Sequence, residues 1–251
     1  MNKELAKQLK AKFPEIDPAK KGLTVNASAD TLDLTIYGEI EGDGYDWWAD
    51  EVIKSETSAR HFKEVLDAHP NVKVINLSIN SMGGSVFEGN AIYSLLKRHS
   101  AVVNVTIDGF ACSMASSIAM AGDKVTMSCN SLMMIHNPWT WACGNSVELR
   151  KAADDLDAMG EAFRQTYLVK AGDKLTEEKL IEMLDAETYL TAKEAYEFGL
   201  CDEIEDVVED NEPSATINAL KAQIKELKAQ LEDKTKEEDE EEQPTTKGWF
   251  F

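Results

Sequence analysis

Three short stretches of the chain hold residue types that could carry out acyl chemistry. Gly109-Phe110-Ala111-Cys112-Ser113-Met114-Ala115 sets a serine between a strand-ending glycine and a run of small residues. A serine at a helix N-terminus meets backbone N–H groups and the positive end of the helix dipole, both of which favour a developing oxyanion. The same run also suits a tightly packed helix in which Ser113, Ser116 and Ser117 serve only close approach. Gly83-Gly84 follows a β-rich segment, and paired glycines let backbone amides face a substrate without a Cβ in the way. An ordinary strand-to-helix turn would look alike. His136, in Met133-Met134-Ile135-His136-Asn137-Pro138, ends an apolar run just before a proline. An imidazole there can be presented to a cleft, or can be a satisfied histidine at a strand end. His61, His69 and His99 fall on amphipathic helices or at their ends and read as surface residues.

The elements that must position these residues alternate along the chain. Residues 31–40 (TLDLTIYGEI) alternate apolar and polar and predict a half-buried strand, followed by a charged, aromatic loop. SARHFKEVLDA, from Ser58, places Phe62, Val65 and Leu66 on one helical face, and His69-Pro70 closes it. KVINLSIN then predicts a strand, Ser81 to Gly84 a glycine turn, and VFEGNAIYSLLKRH a helix. The order repeats with strand AVVNVTIDG and helix CSMASSIAMAG, and short strands follow at KVTMS and LMMIH. Beyond Gly144 the pattern is helical from Ser146 to about Ala171 and from Thr176 to Leu184, with Thr176 suited to an N-cap. AKEAYEFGLCDEIEDV supplies a last helix and strand. Strands alternating with helices predict an α/β domain with parallel strands joined by right-handed crossovers.

Composition narrows the function. The formal charge of −20 disfavours capture of nucleic acid, because phosphate binding needs clustered Lys and Arg. Residues 202–242 hold sixteen Asp or Glu against five Lys, so the rest of the chain is only mildly acidic. No apolar run reaches the ~20 residues that cross a bilayer, and the N-terminal residues lack a signal-peptide block, so a cytoplasmic protein is expected. Cys112, Cys129, Cys143 and Cys201 form no C-x-x-C pair, which speaks against a zinc or redox motif and for reduced thiols. A break near Asn211-Glu212-Pro213-Ser214 divides the chain into an N-terminal segment 1–30, a domain 31–210 and a tail 211–251.

Taken together these stretches resemble the ClpP-type serine peptidases over about residues 31–208. The N-S-P-G-G turn of that family appears as Asn80-Ser81-Met82-Gly83-Gly84, with Met82 in place of proline. Its G-x-x-x-S-M nucleophile segment is matched from Gly109 to Met114, and its M-I-H-x-P base segment from Met134 to Pro138. The resemblance implies Ser113 as nucleophile, His136 as base, and the backbone amides of Gly84 and Met114 as the oxyanion hole. The third member departs from the pattern. The family aspartate precedes an F-L-S-A segment, which reads Tyr189-Leu190-Thr191-Ala192 here, and counting back lands on Glu187, with Asp185 as the alternative. A glutamate can orient an imidazole and stabilise its charged form as an aspartate does.

The resemblance also implies a ClpP/crotonase-like fold of repeated β-β-α units, homo-oligomeric rings, and catalysis without metal or organic cofactor. GFACSMASSIAMAG, MIHNPW and ETYLTAKEA are similar to phage-encoded members that mature capsids, which implies capsid or scaffold segments as substrates and a place in the host cytoplasm or a procapsid. The alternatives are a general ClpP-like peptidase fed by a host unfoldase, a crotonase-like acyl-CoA enzyme, and an assembly scaffold with a vestigial site. In the helical, acidic tail, Ile217, Leu220, Ile224, Leu227 and Leu231 form a short heptad seam. Glu237 to Glu242 is expected to stay solvated, and Gly248-Trp249-Phe250-Phe251 could dock a partner such as a capsid or scaffold protein.

Overall fold

The structure is a computed structural model that describes residues 22–205. The heptad seam, the acidic run, the aromatic ending and the boundary near residue 210 lie outside the described residues. Within them an eight-stranded mixed sheet runs in the order β1 (Gly22–Ala27), β2 (Thr31–Ile40), β5 (Val74–Gly84), β6 (Val102–Cys112), β7 (Lys124–Ser128) and β10 (Glu203–Glu205). β1 is antiparallel to β2, and the pairs from β2 to β10 are parallel. β8 (Leu132–Ile135) adds in parallel to the far end of β6, and β9 (Thr188–Thr191) runs antiparallel to β8. The result is the α/β architecture expected of a ClpP-like fold.

Alternation along the strands decides which face is core. Leu32, Leu34 and Ile36 of β2, Ile75, Leu77 and Ile79 of β5, and Val103, Val105 and Ile107 of β6 are all buried. Their neighbours Asp33, Asn76 and Asn104 stand in register on the other face. There Asn76 Nδ2 donates to Asp33 Oδ1 at 2.8 Å and Asn104 Nδ2 to Asn76 Oδ1 at 3.1 Å. A slip of one residue would bury that polar row, so the pattern fixes the register. Helices α1 (Ala59–Ala68) and α2 (Val86–Arg98) contribute Phe62, Leu66, Ile92 and Leu96 to the same core. Ser58 caps α1 and Ser85 caps α2, each accepting a backbone N–H three residues on.

The structure departs from the sequence reading at five places. Ser81 to Gly84 is not a turn; it continues β5 in extended form, because Gly83 (φ 95°) and Gly84 (φ 149°) take conformations open to glycine. The small-residue helix α3 covers only Met114–Ala119, and Cys112 belongs to β6. The loop after β2 contains a hairpin of β3 (Gly44–Asp46) and β4 (Glu51–Ile53), and β1 lies in the segment set apart at the N-terminus. His69 and His99 are half-buried rather than on the surface, whereas the His61 side chain remains 36% exposed. His69 Nδ1 is bonded to the Val65 carbonyl at 2.8 Å, and His99 Nδ1 accepts from Ala101 N–H at 3.1 Å, so both rings serve the helix ends.

The chain finishes with α4 (Ser146–Ala171), α5 (Glu177–Asp185) and α6 (Ala192–Glu197). α4 packs through its second half, where Gly160, Phe163, Thr166, Tyr167 and Ala171 are buried, while its first half is exposed or half-buried. No helix among the described residues is long and apolar enough to cross a membrane.

Candidate active site

β6 builds the site by changing partners. Its first part, Asn104 to Ile107, pairs with β7, and its last part, Phe110 to Cys112, pairs with β8. Register shifts at Tyr37/Glu39 in β2 and Ile79/Ser81 in β5 fall at the same level of the sheet. Such irregularities bend strands and re-aim the residues after them. The Phe110 N–H, near the bend, is satisfied by Asn80 Oδ1 at 3.1 Å. The strand therefore ends with Cys112 beside Met134, and the next residue on each side leads to Ser113 and toward His136.

Ser113 sits at the junction of β6 and α3 with φ 53° and ψ −126°, and its N–H donates to the Met134 carbonyl at 2.8 Å. A serine on a sharp, strained strand-to-helix turn has its hydroxyl held out at the head of the helix. His136 Nε2 lies 2.7 Å from Ser113 Oγ. The G-x-x-x-S-M match points to Ser113 over its neighbours, and the three serines lie in different surroundings. Ser116 and Ser117 are fully buried. Ser116 Oγ lies 2.6 Å from the Ser113 carbonyl and 2.7 Å from Tyr167 Oη, and Ser117 Oγ lies 3.2 Å from Thr166 Oγ1. These hydroxyls tie α3 to α4 beneath the turn.

Gly83 comes close to the same turn. A Cβ built there would stand 2.7 Å from Ser113 Cβ and 3.0 Å from the Met114 backbone nitrogen. Its own N–H is taken by Ser81 Oγ at 3.0 Å. Gly84 lies beside β2, where an added Cβ would run into the Ile40 carbonyl. A side chain at Gly83 would push the β5 backbone away from the residues around Ser113, and one at Gly84 would push it away from β2.

The acidic candidates occupy different places. Glu187 follows the Ala186 C-cap of α5 with φ 49°, and its N–H donates to the Leu184 carbonyl at 3.2 Å. Its carboxylate acts on His136 through charge. Burial pushes the His136 imidazole below its ordinary value, and the Glu187 charge works in the opposite direction. Asp185 accepts a hydrogen bond from Asn137 Nδ2 at 2.7 Å. Asp50, Ser113 and Glu187 are the three non-glycine residues with positive φ among the described residues. Such conformations cost about 1–3 kcal/mol each and persist where surrounding structure imposes them.

Ser113 and His136 open onto a cleft of about 1170 Å³ whose walls include Met82, Phe87, Phe110, Trp139, Leu156 and Met159. Ala152, Asp155, Leu156 and Met159 come from one face of the exposed half of α4, at the spacing of successive helical turns. These walls were not singled out from sequence. The only signals for them were the methionine in place of proline at position 82 and that helical spacing.

A hydroxyl hydrogen-bonded to a partly desolvated imidazole, at a strained helix entrance beside glycine-lined backbone, is an arrangement that can support nucleophile-and-base chemistry. The Clp protease family model matches residues 50–208, and the chain belongs to that family. It is 36% identical over 141 residues to the ATP-dependent Clp protease proteolytic subunit of Ligilactobacillus salivarius (strain UCC118), a match covering 55% of this chain and 71% of that protein.

Proposed function

We propose that the chain is a serine endopeptidase in which Ser113 is the nucleophile and His136 the general base. The observation that carries this reading is the 2.7 Å contact between Ser113 Oγ and His136 Nε2 in the lining of the cleft. His136 takes the hydroxyl proton as the oxygen attacks a peptide carbonyl, and returns it to the leaving amine as the bond to nitrogen breaks. Water, activated by the same imidazole, then hydrolyses the acyl-enzyme and restores the serine. The backbone N–H groups of Gly84 and Met114 hold the oxyanion, and Glu187 stabilises the imidazolium by its charge.

The working form is a homo-oligomeric ring acting on protein segments. The substrates proposed first are capsid or scaffold segments, a reading supported by the sequence stretches around Ser113, His136 and Glu187. The second reading is a general proteolytic subunit fed by an ATP-dependent unfoldase, and the similarity to the Clp proteolytic subunit favours it. Co-expression separates the two: cleavage of a capsid protein without an ATPase supports the first, and cleavage only with a co-purifying ATPase supports the second. The catalytic assignment is tested by Ser113→Ala, which removes one hydroxyl. Hydrolysis of a short fluorogenic peptide should vanish while the melting temperature and assembly stay as in the wild type. Retained hydrolysis would refute the assignment.

A further inference from the structure

We infer that Asn137 and Asp185 are positioning residues, whose side-chain hydrogen bond clamps the segment carrying His136 to the segment carrying Glu187. The proposal rests on the reading of Ser113, His136 and Glu187 as the reacting constellation and names what sets its spacing.

The argument comes from the end of the β8–β9 ladder. The last paired residues are Ile135 and Thr188. The next residue outward on β8 is His136, and the residue preceding Thr188 is Glu187, so the two face each other just past the final rung. One residue beyond His136 is Asn137, and two residues before Glu187 is Asp185. The bond from Asn137 Nδ2 to Asp185 Oδ1, 2.7 Å long, closes the bracket on the outer side. His136 and Glu187 are thus held between a backbone rung and a side-chain bond.

Such a brace is needed because neither acid reaches the imidazole directly. Among the described residues no hydrogen bond joins Glu187 or Asp185 to His136. Glu187 is exposed and its backbone is held at φ 49°, a conformation unfavourable for glutamate. Without a restraint, the segment after α5 could relax and carry the carboxylate away. The charged or titratable groups around His136 are Glu187, Asp185 through Asn137, and Cys112, Glu39 and Asp155 in the cleft wall, where Asp155 is paired with Lys151. Of these, Glu187 is the one whose charge acts on the imidazole. The clamp fixes the distance over which it does so.

The test uses the full chain with four variants, Asn137→Ala, Asp185→Ala, Asp185→Asn and Glu187→Gln, and two readouts. The first is kcat and KM on a short peptide; the second is the His136 imidazole titration followed by NMR, which needs no turnover. Asn137→Ala and Asp185→Ala break the same bond from opposite sides, so one can stand in if the other fails to fold. Both should lower kcat about 10-fold with KM little changed, and both should move the His136 titration downward toward that of Glu187→Gln. Asp185→Asn keeps an acceptor oxygen and should recover most of the loss, which a requirement for the Asp185 charge would not allow. The proposal is overturned if Asn137→Ala leaves kcat and the His136 titration unchanged. It is equally overturned if Asp185→Asn is as damaging as Asp185→Ala. Failure of the parent reading looks different, because Ser113→Ala would then still hydrolyse the peptide whatever the clamp variants do.

Discussion

His136 is where burial and charge oppose each other, and the sign of the balance predicts a pH profile. A general base must be neutral, so kcat/KM is lost as pH falls through the imidazole's value in the folded protein. Burial, the larger influence, holds that value below the ordinary ~6.5. Activity should therefore persist to lower pH than a solvent-exposed histidine would allow. Glu187→Gln removes the opposing charge, which should move the acidic limb further down and lower kcat by on the order of 10²- to 10⁴-fold. A pH–rate profile of both proteins checks this, and an upward shift of the limb in Glu187→Gln would contradict it. Ser113 and His136 were legible in the sequence because each sits in a short contiguous motif. The Asn137–Asp185 bond was not, since its partners lie 48 positions apart and only the β8–β9 pairing brings them together.

Strand β5 and helix α3 meet at a separation that tolerates no side chain at position 83. Gly83→Ala would add a Cβ 2.7 Å from Ser113 Cβ and 2.6 Å from the Cys112 carbonyl, at a backbone φ of 95°. The strain should cost about 1–3 kcal/mol of stability, and displacement of the Met114 amide should lower kcat on the order of 10²-fold, as loss of one oxyanion donor does. Thermal melting and peptide hydrolysis measure the two effects separately, and near-wild-type kcat would refute the close approach. The ranges of β2, α1, α2 and α5 were readable because one face of each is apolar at the period of its element. The extent of β5 was not, because Gly83-Gly84 signals a turn as readily as an extended strand. Helix α3 shortened for a related reason: small residues suit a helix and a buried strand end alike, and pairing with β8 claimed Cys112 for β6.

The described domain contains the proposed nucleophile, base, acid and oxyanion amides, all before Glu205. Truncation after Glu212 should therefore leave hydrolysis of a short peptide within about 2-fold of the full chain, since the domain buries its own core. Delivery to a capsid or scaffold substrate should fall, and comparing short-peptide with protein-substrate cleavage in the truncated chain measures both. Loss of short-peptide hydrolysis would instead give the tail a part in the active assembly. The α/β class was readable from the alternation of strands and helices, whereas the partner switch of β6 was hidden because both halves of that strand look alike in sequence. The reading of the whole protein stands or falls on which atom is the nucleophile. A fluorophosphonate probe, with the modified peptide located by mass spectrometry, reports that atom directly. Labelling should fall on Ser113 alone, should be absent in Ser113→Ala, and should slow by orders of magnitude in His136→Ala. A label on Ser116, or a label that persists in Ser113→Ala, would contradict it.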